Sequence, residues 1–316
     1  MESISKRIDA VTNIPEGYRA EKLPAPKSVK IELTSNCNFK CSFCAHQQGA
    51  KQHGDMDFEL FKRLADEMRA AGVEELGMFY IGESMMCKFL PDAIEYAKKI
   101  GFPYVFLTTN GSLATPDRVE ALMKAGLDSL KFSYNNADAE QFKQIAGLSP
   151  RQFEKIIYNI QQAWGVRELG GYKTRLYASS IKYDGDQHAK MKETVARILP
   201  FVDEHYWLPL LSFGGQATEA EKKMGLKPVG GNPGRLETMR ASLPCWAVFR
   251  EGHITSEGRL SACCFDSSDS WKMADLNEVS FMEGWNSLAF QVLRKAHLEG
   301  DVHGTACESC IHGKTS

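Results

Sequence analysis

The sequence predicts an α/β protein: six strand–helix units, then a smaller C-terminal unit made of a β-hairpin and a helix. Three observations carry this expectation. Short apolar runs alternate with amphipathic segments of about ten to fifteen residues, the pattern of βαβ units around a parallel sheet. Three cysteines, Cys37, Cys41 and Cys44, follow the first apolar run directly. Cys245, Cys263, Cys307 and Cys310 gather after a glycine-rich stretch, where the strand–helix alternation has stopped.

Composition narrows the class. Apolar residues make up 43% of the 316 and charged residues 25%, enough to bury a sizeable core. A net charge of −2 gives no argument for a nucleic-acid or membrane surface. The start, Met1-Glu2-Ser3-Ile4-Ser5-Lys6-Arg7, lacks the apolar segment of an export signal, and no run has the length of a membrane span. Nine cysteines without such a signal point to metal or catalytic use rather than disulfides, and to a reducing cytoplasm.

In chain order, residues 1–27 are polar, carry Pro15, Pro24 and Pro26, and are expected to be an extended lead-in. Residues 29–33 form the first strand, ahead of the cysteine loop. A helix runs from Asp57 through Phe58, Leu60, Phe61, Leu64 and Met68, closing at Gly72. Residues 75–81 form a buried strand ending at Gly82-Glu83, and residues 89–99 the second helix. The later strands are expected at 104–108, 128–134, 174–181 and 204–211. Helices are expected at 116–125, 150–164 and 187–199, and Thr109-Asn110-Gly111 is a tight turn treated as scaffold. Gly214-Gly215 and Gly230-Gly231-Asn232-Pro233-Gly234 mark residues 213–240 as a linker. Residues 248–254 and 259–262 alternate as a hairpin across Ser256-Glu257-Gly258, and a helix follows at 287–298.

Cys37-Asn38-Phe39-Lys40-Cys41-Ser42-Phe43-Cys44 places three thiols within eight residues. Thiolates select zinc, Cu(I) or iron–sulfur clusters. Cys41 and Cys44 alone permit a thioredoxin-like pair, but the third cysteine and the strand before it weigh against that. A closed zinc site requires a fourth ligand, for which His46 and His53 are the nearby candidates. A 4Fe–4S cluster held by three cysteines instead keeps one iron open. The C-x-x-x-C-x-aromatic-C spacing resembles the signature of the radical S-adenosylmethionine (SAM) superfamily, with Phe43 in the aromatic slot.

That resemblance implies a partial (β/α)6 TIM-like barrel over residues 28–212, with active-site residues at the C-terminal strand ends. It implies that Cys37, Cys41 and Cys44 hold a 4Fe–4S cluster binding SAM, that Phe43 packs by the adenine, and that a 5′-deoxyadenosyl radical abstracts substrate hydrogen. Gly82-Glu83 resembles the family's Gly-Gly-Glu motif, which hydrogen-bonds the SAM amino group, with Ile81 in place of the first glycine. Ser133, Asn135 and Ser179 are candidate ribose or carboxylate contacts, equally readable as satisfied strand-end groups.

Residues 241–316 resemble the twitch domain, the shortened relative of the SPASM domain. Cys245, Cys263, Cys307 and Cys310 are then the ligands of a second, auxiliary 4Fe–4S cluster. Gly284-Trp285-Asn286-Ser287 and Leu293-Arg294 agree with that resemblance. A four-cysteine zinc ribbon is the alternative. Cys264 leaves the choice of ligand open. Cys87 and Cys264 are candidate hydrogen donors, although a free cysteine is more often a buried small hydrophobe. The resemblance is nearest to aminocyclitol dehydrogenases and sugar epimerases, implying a polar small-molecule substrate and either oxidation or epimerisation. It also implies a one-electron donor such as flavodoxin or ferredoxin. Peptide modification in the SPASM manner is a further reading, lowered by the absence of room for a leader-recognition domain. A non-catalytic zinc or redox module is a reading of another class.

Overall fold

The computed structural model describes residues 2–44, 54–214, 224–266 and 271–312. Six strands lie parallel in one sheet: β1 (Ser28–Ile31), β2 (Glu75–Gly77), β3 (Tyr104–Thr109), β4 (Ser129–Ser133), β5 (Arg175–Ile181) and β6 (Glu204–Leu208). Period-two alternation sends Val29, Ile31, Val105, Leu107, Leu130, Phe132, Leu176 and Ala178 into the core, all 0–1% exposed. The alternate positions Ser28, Lys30, Phe106, Thr108, Ser129 and Lys131 line the barrel lumen. This is an open α/β barrel.

Helices cover the outside. In α2 (Phe58–Ala71), the Asp57 side chain accepts from the Leu60 N–H, and Gly72 closes the last turn in a left-handed conformation. Its buried stripe is Phe61, Leu64, Ala65 and Met68, spaced as the sequence predicts. α3 (Leu90–Lys99), α4 (Pro116–Lys124), α6 (Pro150–Gly170) and α7 (Gly185–Ala196) fall close to their predicted places. Strand two is shorter than expected, because the chain turns away after Gly77 toward the Gly82-Glu83 loop.

Among the described residues before 213, two helices are additional to the expected set. α1 (Ile4–Thr12) replaces the extended lead-in: Ser3 caps it, and Ile4, Ile8 and Val11 recur at helical spacing beneath the lumen. It is tied down by Arg7 to Glu75 at 2.6 Å and by the backbone N–H of Ile4 donating to Glu204 at 3.0 Å. α5 (Ala139–Ala146), capped by Asp138, sits beneath the first cysteine loop.

The C-terminal hairpin is not a separate sheet. β7 (Glu251–Ile254) pairs parallel with β1, in register Val29↔Gly252 and Lys30↔His253, while β8 (Arg259–Ser261) and β9 (Lys272–Asp275) continue antiparallel. The sheet order is therefore β6-β5-β4-β3-β2-β1-β7-β8-β9. Residues 248–250, expected as strand, belong instead to one helical turn, α8 (Ala247–Arg250). β9 escaped prediction because its Lys-Met-Ala-Asp sequence is that of an exposed, charged sheet edge. α9 (Phe281–Trp285), α10 (Leu288–Glu299) and α11 (Glu308–His312) complete the chain. The described part of the expected linker is packed: Leu211 bridges Val229, and a side chain at Gly230 would meet the Cys310 carbonyl oxygen at 2.5 Å. Among the described residues, no helix is long and apolar enough to cross a membrane.

Candidate active site

The first cysteine loop leaves the C-terminal end of β1 and is held on both sides. On one side, the Ser42 N–H donates to the Ile145 carbonyl of α5 at 2.9 Å, and the Phe39 ring meets Phe142 edge-on at 5.7 Å. On the other, Asn38 donates to Ser112 at 2.8 Å and accepts from Asn110 at 2.9 Å. The Cys44 N–H closes a turn onto the Cys41 carbonyl at 2.9 Å. Cys37, Cys41 and Cys44 are each half-buried. Burial, together with the charge on its neighbours, pushes the Cys41 thiol well up, and burial pushes Cys37 up to about 11.

Gly82 and Glu83 brace this loop. A Cβ at Gly82 would lie 2.1 Å from the Thr34 carbonyl oxygen and 2.9 Å from that of Asn36, so only glycine fits there. The Glu83 carboxylate, 3% exposed, accepts from the Thr109 hydroxyl at 2.8 Å and from the backbone N–H groups of Asn110 and Met85 at 2.7 and 3.1 Å. Burial raises its pKa, and its charge is one of the causes of the rise at Cys37. Three donors therefore already hold the carboxylate expected to bind the SAM amino group. Glu32, which sequence reasoning passed over, has a similar task one strand away. It accepts from the N–H groups of Gly82 and Ile81 on one oxygen and from Ser256 on the other, and burial raises its pKa to about 7.

The remaining strand-end candidates have mixed fates. Ser133 and Ser179 face each other in register on β4 and β5. The Asn135 side chain accepts from the Ile181 N–H at 3.2 Å and so bridges those strands. The Phe43 ring lies 6.5 Å from Phe213, which in turn lies 5.1 Å from Phe265, linking the two cysteine regions through aromatic contacts. His46 and His53 lie outside the described residues.

The second set converges from four places. Cys245 precedes α8, Cys263 and Cys264 follow β8, and Cys307 and Cys310 flank the start of α11. The Cys245 N–H donates to His297 Nδ1 of α10 at 3.1 Å. The Phe265 N–H donates to the Cys263 sulfur at 3.4 Å, and Ser212 contacts the Cys310 sulfur at 3.3 Å. The Cys263 thiol is raised by burial and by Cys264, Cys307 and Cys310; the Cys307 thiol is raised by burial and by Cys245 and Cys310. Cys264 also feels Lys30 and Glu251, which line the lumen, and Asn232 approaches its sulfur at 3.9 Å. Cys87 is elsewhere: it lines a different cavity with Met85, Leu90, Asp117 and Arg118, and that cavity shares no residue with the lumen. Tyr80 joins the two regions, its hydroxyl pointing at the Cys263 and Asp266 carbonyls at 2.8 Å.

The lumen is a cavity of about 230 Å³, floored by α1 and walled by β1–β4, Tyr206, Trp246 and Glu251. Its charged groups, Arg7, Lys30, Glu75, Lys131 and Glu251, were also missed by sequence reasoning. The available signal was a single charged residue inside an apolar strand, as in Val29-Lys30-Ile31 and Leu130-Lys131-Phe132.

Both thiol sets suit iron–sulfur ligation. Each gathers cysteines whose thiols are pushed up by burial and by one another, a penalty that a bound cation reverses. Among the described residues, no three His, Cys, Asp or Glu side chains are placed as closely as a single metal ion requires.

An open α/β barrel bearing three thiols after its first strand, with four more in the C-terminal segment joined to it, defines the class. The sequence comparisons give the family. Residues 31–166 match the radical SAM superfamily, and residues 245–311 match the SPASM iron–sulfur cluster-binding domain; the chain carries a radical SAM domain followed by a SPASM domain. These domains bring with them a 4Fe–4S cluster with SAM and auxiliary iron–sulfur ligation, respectively. The chain is 31% identical over 139 residues to a tungsten-containing aldehyde ferredoxin oxidoreductase cofactor-modifying protein of Pyrococcus furiosus, covering 42% of this chain and 38% of that one. It is 32% identical over 132 residues to a PqqA peptide cyclase of Granulibacter bethesdensis, covering 42% and 35%. The matched region thus spans well under half the length of these relatives. Among solved structures, BtrN in complex with AdoMet and 2-DOIA aligns with a TM-score of 0.59 at 18% identity, over 90% of this chain and 91% of that one. Streptococcus suis SuiB bound to precursor peptide SuiA aligns with a TM-score of 0.66 at 15% identity, over 86% and 67%.

Proposed function

We propose that Cys37, Cys41 and Cys44 hold the SAM-binding cluster, that Cys245, Cys263, Cys307 and Cys310 hold an auxiliary cluster, and that the substrate's reacting carbon enters the lumen between them. When bound, these groups supply a 5′-deoxyadenosyl radical that takes a hydrogen atom from carbon, and an acceptor for one electron. The carrying observation is the lumen itself. It reaches Thr108, whose neighbour Thr109 is bonded to Glu83 beside Cys37, and it reaches Trp246 next to Cys245. Gly82, Glu83 and Glu32 fix the loop that presents the first three sulfurs. Phe43 packs by the adenine, and Ser133 and Ser179 stand where ribose or carboxylate oxygens of SAM would be met.

The substrate reading we favour is oxidative modification of a peptide side chain. The relatives named as PqqA peptide cyclases and the likeness to SuiB support it. A small polar molecule, sugar or aminocyclitol, is the second reading, supported by the alignment with BtrN over nearly the whole of both chains. In either case a substrate radical that loses one electron and one proton ends oxidised. One that takes a hydrogen atom from a thiol ends epimerised, and Cys264, rather than Cys87, is the thiol beside the lumen. A one-electron donor such as flavodoxin or ferredoxin and a reducing, cytoplasmic setting belong to the same proposal.

The test uses anaerobically reconstituted protein, dithionite, SAM and a panel of peptides and aminocyclitols in deuterated water. A product lighter by two hydrogens means oxidation. A product carrying one solvent deuterium, lost in Cys264→Ala, means epimerisation. Iron-loaded protein that forms no 5′-deoxyadenosine contradicts the reading.

A further inference from the structure

We propose that the lumen recognises a substrate bearing a single carboxylate, with Lys131 as its cation and the Tyr206 hydroxyl as its companion; this rests on the reading of the lumen as the substrate chamber. The cavity wall carries three cationic side chains, Arg7, Lys30 and Lys131, and two carboxylates, Glu75 and Glu251. Both carboxylates are taken. Arg7 reaches Glu75 at 2.6 Å, with Lys27 from outside the wall at 3.7 Å, and Lys30 reaches Glu251 at 2.8 Å, while His253 also contacts Glu251 at 3.0 Å. Lys131 is left over. Its polar partner among the described residues is the Tyr206 hydroxyl at 3.2 Å, and it has no carboxylate among them.

A half-buried ammonium without a counter-charge is costly, and a bound anion offsets that cost. One unbalanced positive charge calls for one negative charge. A carboxylate supplies that, whereas a phosphate ester brings about −1.5 to −2 and leaves the chamber negative. The donor set agrees: a point-charge lysine and a hydroxyl suit a carboxylate, and the one guanidinium fork in the wall is spent on Glu75. The Ser28 hydroxyl, on a residue 1% exposed, also lines the cavity and has no hydrogen-bond partner among the described residues. With about 230 Å³ to fill, the chamber admits a small acid or one acidic side chain of a peptide.

The test is calorimetric titration of the cluster-loaded full chain with propionate, propionamide, inorganic phosphate and a capped Ala-Glu-Ala peptide. Propionate or the glutamyl peptide is expected to bind and propionamide not; peptide binding locates the carboxylate on a peptide side chain, and propionate binding alone locates it on a free acid. Lys131→Met is expected to weaken binding by about tenfold or more, the loss of one charge-assisted hydrogen bond, while Lys131→Arg retains it. Tyr206→Phe, which removes the positioning hydroxyl, is expected to weaken it as well and serves if Lys131→Met does not fold. Equal binding of propionate and propionamide, undiminished binding in Lys131→Met, or a preference for phosphate would overturn the proposal. SAM cleavage by the wild type is followed on the same preparation. If it is absent while propionate still binds, the enzymatic reading fails and the anion site stands.

Discussion

Gly82→Ala isolates the contact on which the first cysteine loop depends. The added methyl carbon would sit 2.1 Å from the Thr34 carbonyl oxygen, 2.9 Å from that of Asn36 and 3.0 Å from the Ser35 carbonyl carbon. Close carbon–oxygen contacts in proteins lie at about 3.3–3.6 Å, so the two loops must part by about 1 Å. All three obstacles are backbone, so no side chain can swing away. Overpacking of this kind costs about 1–3 kcal/mol. Parting the loops also strains the 2.8 Å bond from the Glu83 N–H to Asn36 and the carboxylate's bonds to Thr109 and Asn110, at about 1 kcal/mol each. A total of about 4–6 kcal/mol is expected, a large share of the stability of an ordinary domain. Urea denaturation reads it, and iron analysis after anaerobic reconstitution should show loss of the iron held by Cys37, Cys41 and Cys44 with the C-terminal set still loaded. Gly165→Ala is the control: it lies within α6 with nothing inside 4 Å and should gain up to about 1 kcal/mol. Unchanged stability and iron content in Gly82→Ala would refute the argument.

Other expectations follow from the same geometry. Arg294 is fully buried, donates to the Val248 and Glu21 carbonyls at 3.0 Å and stacks 4.2 Å from the Trp285 ring; Arg294→Met should cost about 2–4 kcal/mol in denaturant melts by leaving both carbonyls unpaired. Burial holds the His205 ring neutral, its pKa pushed down to about 4. The folded state then binds fewer protons than the unfolded state between about pH 6.5 and 4, so stability should be full above pH 6.5 and fall across that window. His205→Gln should flatten that fall in melts recorded from pH 7 to 4. Cys263→Ser should remove auxiliary iron while Cys264→Ser keeps it, as counted by iron assay and electron paramagnetic resonance; the reverse pattern would exchange the two roles.

Much of this molecule was legible before any coordinates. The six parallel strands and most covering helices follow from apolar periodicity, and the first cysteine loop follows β1 as expected. What escaped has physical reasons. α1 is polar overall and preceded by few cues, yet Ile4, Ile8 and Val11 carried its period; its apolar face is completed by the lumen and by Trp246 and Ala247, residues far away in sequence. β7 joins β1 through contacts more than 200 residues apart in sequence (Lys30 Nζ to Glu251, separation 221), and no local pattern reports such pairing. Glu83 read as a ligand-facing residue, but two of its three donors, Thr109 and Asn110, come from another segment, and sequence cannot show that a carboxylate is already engaged. The lumen charges were visible as lone lysines in apolar strands, but their pairing, and the one left over, required the fold.

The most direct measurement is a paired iron count and SAM-cleavage assay on anaerobically reconstituted wild type and the Cys37→Ala/Cys41→Ala/Cys44→Ala triple variant. The wild type should carry about eight irons, two 4Fe–4S clusters, and form 5′-deoxyadenosine with dithionite. The triple variant should keep about four irons and form none. A wild type that binds zinc in place of iron, or a triple variant that still cleaves SAM, would contradict the account.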